Sequence, residues 1–120
     1  MKKILIILIL GLFICGCNGQ ISDKKMTDLM KENEYIIIDV RTNSEYNSAH
    51  IVGAINIPYD EINEDIEIDK NKIVFVYCQS GNRSKYAYEV LTKLGYTTYD
   101  LGGYEEIDLE KTDDKKENKS

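Results

Sequence analysis

The sequence predicts an α/β domain built on a largely parallel sheet, and three observations lead to this prediction. Short apolar runs rich in β-formers alternate along the chain with segments of helical pattern. Two of these runs, Tyr35–Val40 and Ile73–Tyr77, lack polar alternation, as is typical of strands covered on both faces. A chain of 120 residues is at most one domain long. Strands that alternate with helices imply right-handed crossovers between parallel neighbours.

The first half of the domain begins with an amphipathic helix. Ser22 or Asp23 can cap it, and Met26, Leu29 and Met30 lie on one face of a helix that runs to about residue 33. The other elements expected here are a strand at 35–40, a short helix from Asn43 or Ser44 through Tyr46, a strand at 54–57 stopped by Pro58, and a helical turn at 59–62.

The second half contains the longest predicted strand and helix. The expected elements are a strand at 73–77, a helix at 83–94 and a strand at 97–101. From Glu110 onward the sequence is highly charged, so a disordered tail is expected at 110–120.

The strand at 73–77 delivers Cys78 to the carboxyl edge of the sheet, and a helix follows almost at once. A thiol on a short loop that opens a helix faces outward-pointing backbone amides and the positive end of the helix dipole. These amides favour a thiolate and can hold an anion beside it. Gly81 permits a positive φ in this loop. The pattern predicts a reactive cysteine.

Three blocks of sequence resemble one known family, the single-domain rhodaneses. The segment Cys78-Gln-Ser-Gly-Asn-Arg-Ser84 resembles their active-site loop. The other matching blocks are Ile38-Asp-Val-Arg41 with Glu45-Tyr46 and His50-Ile-Val-Gly-Ala-Ile-Asn-Ile-Pro58 upstream, and Leu94-Gly-Tyr96 with Leu101-Gly-Gly-Tyr104 downstream. The resemblance implies a three-layer fold over residues 22–109, in which helices cover both faces of a mainly parallel, five-stranded sheet.

The resemblance also implies a reaction and its residues. Cys78 would take a sulfane sulfur from thiosulfate, a polysulfide or a persulfide, and pass it to a thiol or cyanide without a cofactor. Asp39 and Arg41, together with Glu45, are expected to form a supporting polar network. The residues expected to bind the substrate are Gln79, Ser80, Gly81, Asn82, Arg83 and Ser84.

Individual side chains of this loop have alternative roles. Arg83 can steer anionic donors or be a solvated arginine of the first helical turn, and Ser84 can cap the helix or donate to the sulfur. Gln79 and Ser80 are neutral where efficient thiosulfate sulfurtransferases often carry a cation, so thiosulfate is expected to be a poor donor.

The length of the loop favours sulfur chemistry over phosphate chemistry. Protein tyrosine phosphatases place an arginine six positions after their cysteine, whereas Arg83 follows Cys78 by five. His50 matches a histidine that is structural in the family. No spacing of His, Cys and carboxylates suggests a metal site. Two other hypotheses remain open: a thiol redox relay with a partner cysteine, and a rhodanese module that only binds a partner.

The amino terminus has the pattern of a targeting segment. Lys2 and Lys3 precede an apolar run, Ile4 to Phe13, that is too short for an ordinary membrane span. The next segment, Ile14-Cys-Gly-Cys17, resembles a bacterial lipobox. We therefore expect a signal peptide at 1–16, an acylated Cys17 as the first mature residue, a tether at 17–21 and attachment to the extracytoplasmic face of a bacterial membrane.

The charge of the chain restricts its partners. The net charge is −6, and removal of Lys2 and Lys3 from 15 basic residues leaves 13 against 21 acidic ones, a net charge near −8. Neither a nucleic-acid surface nor electrostatic binding to anionic lipid is expected. We expect a monomer that binds small sulfur donors and thiol acceptors and keeps Cys78 as its single free thiol.

Overall fold

The computed structural model describes residues 20–113, so the expectations for residues 1–16 and for Cys17 lie outside the described residues. The helices are α1 (Asp23–Glu32), α2 (Asn43–Ser48) and α3 (Asn82–Lys93), with 3-10 turns at Tyr59–Glu61 and Tyr104–Glu106. The strands are β1 (Tyr35–Asp39), β2 (Ala49–Ile51), β3 (Ile55–Asn56), β4 (Ile73–Cys78), β5 (Thr97–Gly103) and β6 (Lys111–Asp113).

Four of these strands form one parallel sheet in the order β3-β1-β4-β5. All six residues of β4 are buried, as the uninterrupted apolar run at its start predicted. Gln20 adds a single isolated parallel bridge to Asp100 at the outer edge of β5, so the described residues form four of the five strands expected in the sheet. The prediction of an α/β fold with a mainly parallel sheet is confirmed.

Side chains that alternate along β4 divide the core into two layers. Phe75 and Tyr77 pack on one face of the sheet in a cluster that includes Met26 of α1. Val76 and Cys78 pack on the other face in a cluster that includes Leu91 of α3. Successive strand residues point to opposite faces, so Tyr77 and Cys78 deliver a phenol and a thiol to opposite sides of one sheet edge.

Two helices begin at capping interactions. The hydroxyl of Ser22 accepts a 3.2 Å hydrogen bond from the Lys25 amide at the start of α1, as predicted. Thr42 caps α2 in a capping box with Glu45, so the helix starts at Asn43 as expected and ends two residues beyond Tyr46. This box holds the backbone and side chain of Glu45 at the carboxyl edge of the sheet.

The prediction of a disordered tail from residue 110 is wrong for its first residues. Lys111–Asp113 forms β6 and pairs antiparallel with β2 as a separate two-stranded ribbon. The Val52 amide also donates to the Glu110 carbonyl at 2.9 Å. Charged side chains do not prevent a strand here because the backbone of Lys111–Asp113 supplies the hydrogen bonds that pair it with β2. Residues 114–120 lie outside the described residues.

None of the helices found between residues 20 and 113 is long and apolar enough to span a membrane.

Candidate active site

Cys78 is the last residue of β4, and a three-residue loop connects it to α3. The side chain is fully buried, whereas Gln79 and Ser80 are exposed. Gly81 caps α3 with a φ of 102°, the left-handed conformation that the sequence allowed for. Nothing lies within 4 Å of a Cβ built on Gly81, so the turn requires glycine for its backbone angle and not for space.

The sulfur of Cys78 lies among polar groups of its own loop. The Gly81 amide donates to Sγ at 2.8 Å, and the Ser84 hydroxyl oxygen lies 3.5 Å from Sγ. The Ser84 hydroxyl also donates to the Gly81 carbonyl at 3.1 Å. A backbone amide aimed at sulfur near a helix start is a hydrogen-bond donor placed for a sulfur anion.

Ser84 lies inside the first turn of α3, because Gly81 occupies the cap position. The alternative in which Ser84 caps this helix is therefore wrong. Its hydroxyl oxygen lies 3.5 Å from Sγ and accepts from the thiol, while the hydroxyl itself donates to the Gly81 carbonyl. Ser84 therefore contacts Cys78 but does not donate to the sulfur as the second alternative expected.

The floor of the loop is formed by β5. Gly103 pairs with Cys78 across the sheet, and a Cβ at Gly103 would meet the Gln79 carbonyl at 3.0 Å. The register between β4 and β5 shifts between Val76 and Tyr77. This shift places Gly102 and Gly103 under the loop. Gly103 thus allows the loop backbone to lie directly on the end of β5.

Asp39 and Arg41 form a buried ion pair behind the loop. The carboxylate is fully buried and lies 2.7 Å from Nη2 of Arg41, which is 3% exposed. Nε of Arg41 donates to both carboxylate oxygens at 3.0 Å, and the Tyr77 hydroxyl adds a 2.8 Å hydrogen bond. Burial opposes the charge of Arg41. The hydrogen bond to Asp39 and the charge of Asp39, together with smaller contributions from neighbouring groups, outweigh burial and raise the pKa of Arg41. Charge pairing of this kind makes a buried guanidinium tolerable.

Arg41 links this pair to the loop. Its Nη1 donates to Oε1 of Gln79 at 3.0 Å, and its Nη2 donates to the Ala49 carbonyl at 2.6 Å. The guanidinium also lies over the rings of Tyr77 and Tyr104, at 5.5 and 4.5 Å from the centroids. The supporting role predicted for Asp39 and Arg41 thus has a physical basis, since this guanidinium orients Gln79.

Glu45 pairs with Arg83 and makes no hydrogen bond to Asp39 or Arg41, which corrects the expected network. The two oxygens of Glu45 accept from Nη1 and Nη2 of Arg83 at 2.9 and 3.2 Å. The hydrogen bond from Arg83, aided by the Thr42 amide, lowers the pKa of Glu45 to about 2. The same bond raises the pKa of Arg83. The network differs because α2 turns Glu45 toward the first turn of α3.

The family model for the rhodanese-like domain matches residues 22–110 of this chain. The chain belongs to the rhodanese family. Thiosulfate sulfurtransferase PspE of Escherichia coli (strain K12) is 44% identical over 78 residues, which cover 62% of this chain and 75% of that protein. Thiosulfate sulfurtransferase GlpE of Coxiella burnetii is 35% identical over 89 residues, which cover 72% of this chain and 83% of that protein.

A solved structure supports the same assignment. The rhodanese with anions from E. coli superimposes with a TM-score of 0.61 at 38% identity, covering 66% of this chain and 98% of that one. The rhodanese-like fold implied by the sequence blocks is therefore confirmed.

The rhodanese domain contains one site residue that sequence reasoning missed. Asp100 lies on β5, is 3% exposed, and accepts a hydrogen bond from the Gly102 amide at 2.8 Å. A polar residue near the carboxyl end of a predicted strand was the available signal, because parallel strands bring such ends to one edge. Gln79, Ser80 and Asn82 are exposed and Arg83 is half-buried, and the substrate contacts expected of them stay a prediction.

His50 lies away from the sulfur network. Its Nδ1 lies 2.8 Å from the Tyr46 carbonyl, and its ring stacks on Tyr46 with centroids 3.9 Å apart. These contacts match the structural role expected for it. Between residues 20 and 113, no group of three or more His, Cys, Asp or Glu side chains is placed to hold a metal ion.

Proposed function

We propose that this rhodanese is a sulfurtransferase that carries sulfane sulfur as a persulfide on Cys78. One observation carries the proposal: the Gly81 amide donates to Sγ at 2.8 Å inside a loop that opens α3. An amide in this position stabilises the thiolate that attacks a donor and the persulfide anion that results. The match to two thiosulfate sulfurtransferases supports the same reaction class.

The reaction consists of two displacements at sulfur. The Cys78 thiolate attacks the outer sulfur of the donor, the S–S bond of the donor breaks, and its remainder leaves with the bonding electron pair as sulfite or a thiolate. An acceptor thiolate then attacks the outer sulfur of the Cys78 persulfide, and Cys78 departs as a thiolate. The cycle needs no external oxidant or reductant.

The two arginines near the loop favour donors of low charge. Arg41 is neutralised by Asp39 at 2.7 Å, and Arg83 is neutralised by Glu45 at 2.9 Å. An anion that approaches the loop meets two guanidinium groups whose charge is already balanced, and so gains little Coulomb energy. We propose organic polysulfides and persulfides, whose sulfur chains carry at most one negative charge, as better donors than the doubly charged thiosulfate.

The enclosure of Cys78 adds a restriction on size. The side chain is fully buried, so part of its surroundings must shift before a donor reaches Sγ. A small terminal sulfur, as in thiosulfate, a persulfide or a polysulfide, needs the least movement.

The proposal places the protein outside the cytoplasm on a lipid anchor. The segment Ile14-Cys-Gly-Cys17, after a basic and then apolar start, supports cleavage before Cys17 and its acylation. A net charge near −8 without residues 1–16 gives the mature chain no affinity of its own for anionic lipid, so the acyl chains supply the attachment.

One mass-spectrometric experiment tests both parts. Protein extracted from membranes is analysed intact and then treated with polysulfide, with thiosulfate, or with neither. We expect a mature protein that starts at a lipid-modified Cys17. Polysulfide should add one sulfur, about 32 Da, to the Cys78 peptide, and dithiothreitol should remove it.

Cys78→Ser is the matched control and should gain no reversible sulfur. A wild-type protein that gains none from any donor would favour the module that only binds a partner. Retention of Met1, or an unmodified Cys17, would overturn the anchor and leave the sulfur chemistry standing.

A further inference from the structure

The ion pair of Glu45 and Arg83 joins α2 to α3 beside the loop of Cys78. Oε1 of Glu45 accepts from Nη1 of Arg83 at 2.9 Å, and Oε2 accepts from Nη2 at 3.2 Å. A guanidinium held at both carboxylate oxygens has a fixed orientation as well as a balanced charge. The pair therefore occupies the arginine that the sequence offered for steering anionic donors.

The Arg83 end of the pair adjoins the reactive sulfur. Arg83 precedes Ser84 in the first turn of α3, and the Ser84 hydroxyl oxygen lies 3.5 Å from Sγ of Cys78. Arg83 is thus the neighbour in sequence of a residue that contacts the sulfur. At so short a range, the net charge of Arg83 and its partner acts on any charged molecule that approaches Sγ.

The Glu45 end of the pair adjoins the start of the loop. The amide and the hydroxyl of Thr42 donate to Oε1 of Glu45 at 3.1 and 3.2 Å. Arg41, the residue before Thr42, donates to the Gln79 side chain at 3.0 Å. The capping box of α2 therefore holds this carboxylate beside the segment that contacts the loop.

The two ion pairs of the site differ in exposure. The pair of Asp39 and Arg41 is buried, whereas the side chains of Glu45 and Arg83 are 33% and 28% exposed. A molecule in solution therefore meets the second pair and not the first. The hydrogen bond from Arg83 lowers the pKa of Glu45 to about 2, so this carboxylate is charged wherever a thiol reacts.

We propose that Glu45 determines the charge preference of Cys78 for the small molecules that react with it. Glu45 cancels the charge of Arg83, so an anion such as thiosulfate gains no attraction at the loop. Without the charge of Glu45, Arg83 would be an unpaired cation that attracts anions. The inference rests on the proposed reaction of Cys78 and names the residue that sets its donor specificity.

Two alkylating reagents that differ in charge test this preference. Iodoacetamide is neutral, iodoacetate carries one negative charge, and both react with the Cys78 thiolate. The full chain in an uncharged detergent is treated with each reagent at one fixed pH, and the modified Cys78 peptide is quantified. The ratio of the iodoacetate rate to the iodoacetamide rate reports the charge preference, because the fraction of thiolate cancels from it.

Glu45→Gln should raise this ratio about threefold to tenfold, because one unpaired cation remains near the sulfur. Glutamine also fits the third position of a capping box, so α2 keeps its cap in this variant. High salt should reduce the gain, since it screens partly exposed charges. Glu32→Gln is the matched control: Glu32 is exposed and ends α1 three residues before β1 begins, at the opposite edge of the sheet. It should change the ratio less than about twofold.

Removal of the other partner should have the opposite effect. Arg83→Gln leaves Glu45 as an unpaired anion and should lower the ratio by a similar factor. The double variant Glu45→Gln with Arg83→Gln again has no net charge at this position, so its ratio should return close to that of the wild type. A loop that had only lost its structure would shift both single variants in the same direction.

Sulfur loading of the same variants separates this inference from the proposed reaction. Thiosulfate carries two negative charges, so Glu45→Gln should speed its loading of Cys78, relative to the iodoacetamide rate, about tenfold or more. A Glu45→Gln ratio equal to that of the wild type, or one that moves as in Arg83→Gln, would overturn the inference even if sulfur is loaded normally. The expected ratios without a persulfide in any variant would overturn the proposed reaction and leave the charge preference standing.

Discussion

Two buried aspartates lie at the carboxyl edge of the sheet, on the strands that flank β4, and their surroundings differ. Asp39 on β1 receives a guanidinium at 2.7 Å and a phenol at 2.8 Å. Asp100 on β5 receives the Gly102 backbone amide at 2.8 Å, and no cation pairs with it between residues 20 and 113.

The difference shows that two aspartates on one sheet edge can contribute differently to the fold. A carboxylate paired with a guanidinium holds it by charge-assisted hydrogen bonds, and so anchors Arg41 and, through it, Gln79. A carboxylate that meets neutral donors lacks this compensation for its burial. We assign the Asp39 side to holding the loop.

The largest expected effect comes from removing the cation of the anchored aspartate. Arg41→Met should lower the free energy of unfolding by about 3–5 kcal/mol, because Asp39 is left as a buried charge without a counter-ion. Urea denaturation at pH 7 measures the loss. Adding Asp39→Asn to Arg41→Met should restore much of it, since the double variant buries no charge. A loss below about 1 kcal/mol would mean that water replaces the guanidinium, and the contrast with Asp100 would disappear.

A smaller loss is expected from the phenol that supports Asp39. The Tyr77 hydroxyl donates to the carboxylate and accepts from the Ile51 amide at 3.0 Å, and burial is the main reason that the pKa of Tyr77 is raised. Tyr77→Phe should cost about 1–3 kcal/mol, because a buried amide and a buried carboxylate each lose a partner. Tyr86→Phe, on the exposed face of α3, is the control and should change stability by less than about 0.5 kcal/mol. Equal effects of the two variants would contradict the assigned role of Tyr77.

The smallest effect, and one of opposite sign, is expected at Asp100. Because burial raises its pKa in the folded protein, Asp100 contributes stability that is complete below its unfolded pKa and is lost as the pH rises through the folded value. Asp100→Asn should therefore be at least as stable as the wild type at pH 7, with a free energy of unfolding higher by up to about 1 kcal/mol. This advantage in stability should vanish near pH 4. Thermal unfolding at both pH values measures the difference. A variant less stable than the wild type at pH 7 would show that the Asp100 charge stabilises the fold as that of Asp39 does.

Much of the fold was predictable because its signals are local. The apolar runs at 35–40 and 73–77 and the amphipathic pattern after Ser22 lie within a residue or two of β1, β4 and α1. The ribbon of β2 with β6 was not predictable. Its strands have three residues each, one of them in a charged segment, and each forms only because the other is present.

The candidate site likewise has a part that local sequence patterns predict and a part that they do not. The loop from Cys78 to Ser84 is contiguous in sequence, so its left-handed glycine and the amide aimed at sulfur follow from local pattern. The pairing of Glu45 and the location of Asp100 depend on residues that are not contiguous in the sequence. Arg83 lies 38 residues after Glu45, and α2 had to be placed before the pair could be recognised.

By itself the sequence determined which residues form the central strands, where the reactive cysteine lies in the chain, and to which family the protein belongs. Hydrophobic periodicity and the conformational freedom of glycine involve only a few neighbouring residues, so both can be recognised before the fold is known. Only the tertiary structure decided which carboxylate meets a cation and which meets a backbone amide. Charges and hydrogen bonds depend on distances of a few ångströms between residues far apart in the chain, and folding sets those distances.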